Sequence, residues 1–98
     1  MNLQAMMKQA QTMQKDMTKA KEEVDAMTFS GTSSIVEVKV NGKKEVLEIK
    51  IKNKENFDLE DLSILEDMLI VAFNDAFKQV DKAKEEKLSN YAGLSDLF

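Results

Sequence analysis

The sequence predicts an α+β fold in the order α-β-β-β-α: a three-stranded antiparallel sheet flanked by two long helices. Three changes of rhythm carry this reading. Apolar residues recur at heptad spacing through the first quarter of the chain, alternate singly through the middle, and return to helical spacing in the last third. The chain has 98 residues and no proline, which fits one domain over 1–98, with a helix over about 2–27, strands over about 28–52, a helix over about 58–91 and a short tail over 92–98.

The first helix rests on two interleaved rows. Leu3, Ala10, Met17 and Val24 recur every seven residues, and Met6, Met13, Ala20 and Met27 follow each by three. No glycine interrupts them, so the helix should reach about 40 Å, more than a three-stranded sheet can cover. Met6, Met13 and Met17 sit on the packing seam, where a flexible side chain fills irregular gaps. Met7 lies beside the seam and widens it. Lys8, Gln11, Gln14, Lys15, Thr18 and Lys21 are read as the other side.

The strands follow from period two. Val36, Val38 and Val40 alternate with Glu37 and Lys39, and Leu47, Ile49 and Ile51 alternate with Glu48, Lys50 and Lys52. Asn41-Gly42 between them is a hairpin signal because both residues tolerate positive φ, and Lys43 and Lys44 widen the connection. Thr28-Phe29-Ser30 reads as a short first strand and Gly31-Thr32-Ser33-Ser34 as a turn. One face of the meander is charged, and the apolar face needs a cover.

For the last helix two starts compete: Asp58 as a cap with Glu60 and Asp61 in the first turn, or a Ser63/Glu66 capping box one turn later. Leu62, Leu65, Leu69, Ala72, Phe73, Ala76, Phe77, Val80 and Ala83 form a wide apolar stripe. Beyond Ala83 the chain turns polar and should project from the core, with Gly93 a plausible stop. The tail Leu94–Phe98 has apolar residues without a clear period. Leu69, Phe73, Phe77 and the methionine seam are more apolar surface than one small chain hides, which predicts a homodimer.

Composition narrows the chemistry. Cysteine and histidine are both absent, which removes thiolate nucleophiles, thiolate metal sites and the commonest general base. Glycines stand only at 31, 42 and 93, so there is no phosphate-cradling loop. These missing parts argue against an enzyme, and no small-molecule substrate is expected. No apolar run is long enough for a membrane and no signal peptide is legible, so a cytoplasmic protein is expected. The net charge is −4, but residues 1–21 hold Lys8, Lys15, Lys19 and Lys21 against Asp16 alone. Every basic residue is lysine, a point charge suited to phosphates and lacking the planar fork that reads guanine.

Longer words are informative as well. MKQAQTMQ near the N-terminus, VEVKVNG in the strands and LEDMLIVAFNDA in the last helix occur in the same order as in one family. The chain resembles the YbaB/EbfC family of small bacterial nucleoid-associated proteins over nearly its whole length. The most specific parts are Met7-Lys8-Gln9-Ala10-Gln11 and Ala72-Phe73-Asn74-Asp75-Ala76. The resemblance implies a tweezers-like homodimer, association with the nucleoid, double-stranded DNA as partner, and no enzymatic activity or cofactor. It places DNA contact on the first helix and on the projecting end of the last. On this chain those regions offer Lys8, Gln11, Lys15 and Lys19, then Lys78, Lys82, Lys84 and Lys87. The last helix also carries Asp75, Asp81, Glu85 and Glu86, so the first helix is the stronger candidate. Asn74-Asp75 is expected to be structural. The competing reading is a protein-interaction module that uses the Met-rich helical surface and binds DNA weakly or not at all.

Overall fold

The computed structural model describes residues 2–91. Helix α1 spans Leu3–Asp25, strands β1, β2 and β3 span Thr28–Ser33, Val36–Asn41 and Val46–Ile51, and helix α2 spans Leu62–Leu88. The strands form one antiparallel sheet in the order β1-β2-β3. The architecture is the predicted α+β order. Gly93 and the tail from Leu94 lie outside the described residues.

Single alternation gives β2 a buried row of Val36, Val38 and Val40, and these meet Val24, Phe29, Ala72, Ala76 and Val80 in the core. Helix α2 lies across β1 and β2. Small residues set how closely it approaches. A Cβ at Gly31 would overlap the Ala72 carbonyl and crowd Ala76, so glycine in β1 facing alanine in α2 lets the backbones nearly touch. Gly42 plays the same part at the other end, where a Cβ would overlap the Val24 carbonyl. Its N–H donates to the Asp25 carbonyl at 3.3 Å.

Several local expectations change. Gly31, Thr32 and Ser33 continue β1 rather than turning, paired with Val38, Glu37 and Val36. The turn is Ser34-Ile35, with Ser34 at φ 51°. Helix α2 supports the extra strand length: the Thr32 N–H donates to Asp75 at 3.2 Å, and Gln79 donates to the Ser30 carbonyl at 2.8 Å. At the second hairpin the left-handed residue is Lys44, at φ 62°, and Gly42 does not have positive φ. Gly42 is required by close approach, not by turn geometry. Before α2, the chain makes a 3-10 turn over Leu59–Asp61, and the Asp58 N–H donates to the Asp61 carboxylate at 3.2 Å. The helical path therefore begins at Asp58. Ser63 lies inside α2.

The largest departure is the shape. Extents of 70 × 17 × 16 Å describe a rod. Only Met17, Ala20 and Val24 of α1 are buried, and everything from Leu3 to Asp16 is exposed. The polar end of α2 does not project alone. It runs antiparallel beside α1, and Lys87 meets Glu23 at 3.1 Å.

Candidate nucleic-acid interface

The exposed half of α1 begins with a built cap: the Asn2 side chain accepts from the Gln4 N–H at 3.0 Å. No acidic residue occupies its first turn, so the positive end of the helix dipole is left without a neutralising carboxylate. At about 100° per residue, Lys8, Gln11, Lys15 and Lys19 fall within roughly a quarter of the helix circumference. All four are exposed. They form a stripe about 16 Å long, diametrically opposite the seam of Leu3, Met6, Ala10, Met13 and Met17. Lys21, expected on the same side, falls toward the seam by the same angle count.

Neighbouring hydroxyls are occupied locally. Thr12 donates to the Lys8 carbonyl and Thr18 to the Gln14 carbonyl, both at 3.0 Å, which leaves lysine and glutamine as the free polar groups of this stripe. Gln11, Gln14, Lys15, Thr18 and Lys19 border one open depression together with Asp16 and Glu22. Glu22 ends the stripe with a negative charge. The sequence reading passed over it, although its spacing of three from Lys19 was the available signal.

The candidates on α2 are dispersed. Lys78 and Lys82 are exposed, one turn apart on one side, and Lys78 borders a depression with Thr32 and Asp75. Lys84 is partly buried. Lys87 is paired with Glu23 and shares a groove between the helices with Asp16, Lys19, Glu23 and Glu86. Three carboxylates against two lysines make that groove a poor place for a phosphate. The structure thus gathers the α1 candidates and separates those of α2.

The apolar candidates also divide. Met17 is 2% exposed, whereas Met13 and Met6 are 37% and 46% exposed. Leu69, Phe73 and Phe77 are half-buried and, with Val46, Ile70 and Asn74, line an open groove of about 430 Å³. The Phe73 and Phe77 rings stack with centroids 5.9 Å apart. Lys44 caps this end of the groove, 5.8 Å above the Phe77 ring and 2.9 Å from Asp81. Asp75, expected to be structural, fastens α2 to β1 within its own chain.

No helix among the described residues is long and apolar enough to cross a membrane. The model of the YbaB/EbfC DNA-binding family matches residues 1–95. The chain is 38% identical to a nucleoid-associated protein of Ligilactobacillus salivarius strain UCC118, covering 94% of this chain and 89% of the relative. It is 41% identical to one of Streptococcus pneumoniae strain Hungary19A-6, covering 95% of each. It is 40% identical to one of Legionella pneumophila strain Corby, covering 96% of this chain and 85% of the relative. Among solved structures, the uncharacterized protein HP0035 from Helicobacter pylori superposes with a TM-score of 0.71 at 22% identity, over 94% of this chain and 98% of that one, and shares the fold. This is a family of nucleoid-associated DNA-binding proteins and not of enzymes, and the chain belongs to it.

Proposed function

We propose that this protein is a cytoplasmic, nucleoid-associated homodimer that binds double-stranded DNA through its phosphates, with low sequence specificity and without a cofactor. One observation carries the reading: Lys8, Gln11, Lys15 and Lys19 form a continuous exposed stripe on α1, and the part from Leu3 to Asp16 packs on nothing among the described residues. Lysine neutralises phosphates and releases counterions, while glutamine donates to phosphate oxygens. Without arginine the stripe has no bidentate reader of guanine. Lys78, Lys82, Lys84 and Lys87 contribute less, because they are dispersed, Lys84 is partly buried and Lys87 is paired with Glu23. The homodimer is supported by the groove around Phe73 and Phe77 and by the exposed apolar residues of β3 and α2.

The test is binding to a random-sequence duplex across a salt series, with mass measured on the same sample. Affinity should fall log-linearly with salt. Replacing Lys8, Lys15 and Lys19 together with glutamate should lower affinity by about 100-fold or more and flatten the salt slope by about 3 per protomer engaged. An unchanged slope would reject this stripe as the contact surface.

The exposed seam of Leu3, Met6, Met7 and Met13 favours a second reading, an arm that docks another protein through Met-rich surface. That reading expects the triple glutamate variant to leave function intact and Met6→Asp to abolish it.

A further inference from the structure

From Met13 to the N-terminus the seam of α1 has no cover among the described residues. Leu3, Met6, Ala10 and Met13 are all exposed. The far end of α2 marks the boundary: Tyr91 shares a groove with Asp16 and Lys19, and Met17 is buried. The open stretch is about 15 Å of helix. At about 100° per residue, Met7 and Gln14 flank it on one side, and Asn2, Gln9 and Asp16 on the other. Lys8 and Lys15 point away from it. Asp16 is the single carboxylate in residues 1–21, so both flanks are uncharged for as far as the seam is open. An apolar strip with uncharged flanks and its cations behind it is suited to another helix rather than to water.

We infer that the outer half of α1 pairs antiparallel, seam to seam, with the same half of α1 from another molecule, and so links copies bound to different stretches of DNA. The pairing rests on the DNA-binding function proposed above and adds what joins one bound molecule to the next. The seam is complementary to itself. With Met13 against the partner's Leu3, Met6 falls against the partner's Ala10, so the two middle layers set a large side chain opposite a small one. The free length fits as well: a tip that reaches Met13 stops short of Met17, where α2 takes over. The charges also match. Asn2 and Asp16 lie on one flank, and antiparallel packing sets the Asp16 of each helix beside the Asn2 of the other. The first turn of α1 has no carboxylate of its own, and the partner's Asp16 supplies one to the positive end of the helix dipole. A parallel pairing loses all three features. Ala10 would face the partner's Ala10 across a gap, the two positive helix ends would lie together, and the two α2 ends would meet where each covers Met17.

The lysine stripe stands on the far side of each helix. A pair of arms therefore presents two stripes facing opposite ways, each free for its own duplex. A helix contact this short is weak between free molecules. It strengthens where DNA gathers many arms at high effective concentration.

The chain has no cysteine, so a single Gln9→Cys variant reports the pairing, because position 9 meets its own counterpart across the antiparallel seam. A short bis-maleimide should link Gln9→Cys into species heavier than the mass measured before linking, and more so with DNA present. Gln4→Cys, on the far side of the helix, should stay unlinked. Asp16→Asn should lower the linked yield by about two- to fivefold at low salt. The second readout is capture of a labelled duplex by protein bound to an immobilised one. Met6→Asp would bury a charge in the seam and should cut capture by about tenfold or more, with affinity for a single duplex unchanged. Normal duplex affinity without capture or a Gln9→Cys link would overturn the pairing and leave the DNA-binding function standing. No duplex binding, with Gln9→Cys still linking at high protein concentration, would overturn the function and leave the pairing. Capture lost in Met6→Asp while Gln9→Cys never links would give the seam a different occupant and overturn the pairing as well.

Discussion

The two halves of α1 carry the same heptad letters and live in different surroundings. In the inner half Met17, Ala20 and Val24 are buried, the last completely. In the outer half Leu3, Met6 and Met13, at equivalent positions, are 69%, 46% and 37% exposed. The inner half holds the domain together, and the outer half presents a lysine stripe on one side and methionines on the other. The same pattern thus serves as core where a second element lies beside it and as surface where none does. A heptad specifies a direction, not a neighbour.

The comparison can be broken most forcefully at Val24. Val24→Asp would place an unpaired charge against Phe29 and the β2 valines, at a cost of about 3–5 kcal/mol, enough to unfold most of a domain this small; denaturant melts would register it. Met17→Asp should behave similarly, whereas Met6→Asp should leave the melting curve of the isolated protomer nearly unchanged. Equal losses at both positions would show that the outer half is packed too. Truncation sharpens the contrast: Met17→Ala should cost about 2–3 kcal/mol and Met6→Ala no more than about 0.5 kcal/mol. Gln79→Ala frees the Ser30 carbonyl and should cost about 1 kcal/mol, with faster hydrogen exchange confined to β1 and its contact with α2. The smallest stability effect is expected for Lys15→Glu on the outer stripe, within about 0.5 kcal/mol, while duplex affinity falls measurably.

Much of this architecture was legible because periodicity reports faces. Both long helices, the alternation of β2, and the placement of Lys8, Gln11 and Lys15 on one side of α1 followed from spacing; Lys19 was singled out by the family resemblance, and spacing put Lys21 on the wrong side. Gly31-Thr32-Ser33 misled because its composition favours turns. Its strand conformation is imposed by the alanines of α2 and by Asp75, 43 residues from Thr32, which no local window contains. Alternation placed Ile49 and Ile51 in line with Val38 and Val36, but it missed the register shift that sets Val46 rather than Leu47 opposite Val40, and it said nothing about whether α2 reaches this strand. Nor does a run such as Lys84-Glu85-Glu86-Lys87 disclose that its last lysine faces Glu23. Conformation and pairing at these places are tertiary facts.

Gly42 has a mechanical consequence. It sits under the last turn of α1, where its missing side chain lets the hairpin abut the Val24 carbonyl. The inner turns of the helix are held by Met17 and Ala20 as well, and the exposed part from Leu3 to Asp16 is a lever about 21 Å long. A tilt of only about 10° at its base would swing the tip by roughly 4 Å, more than half the distance between successive phosphates on one strand. The hairpin therefore seats the base from which the arm points. A substitution as small as Gly42→Ala would displace that base and re-aim Lys8 without touching it.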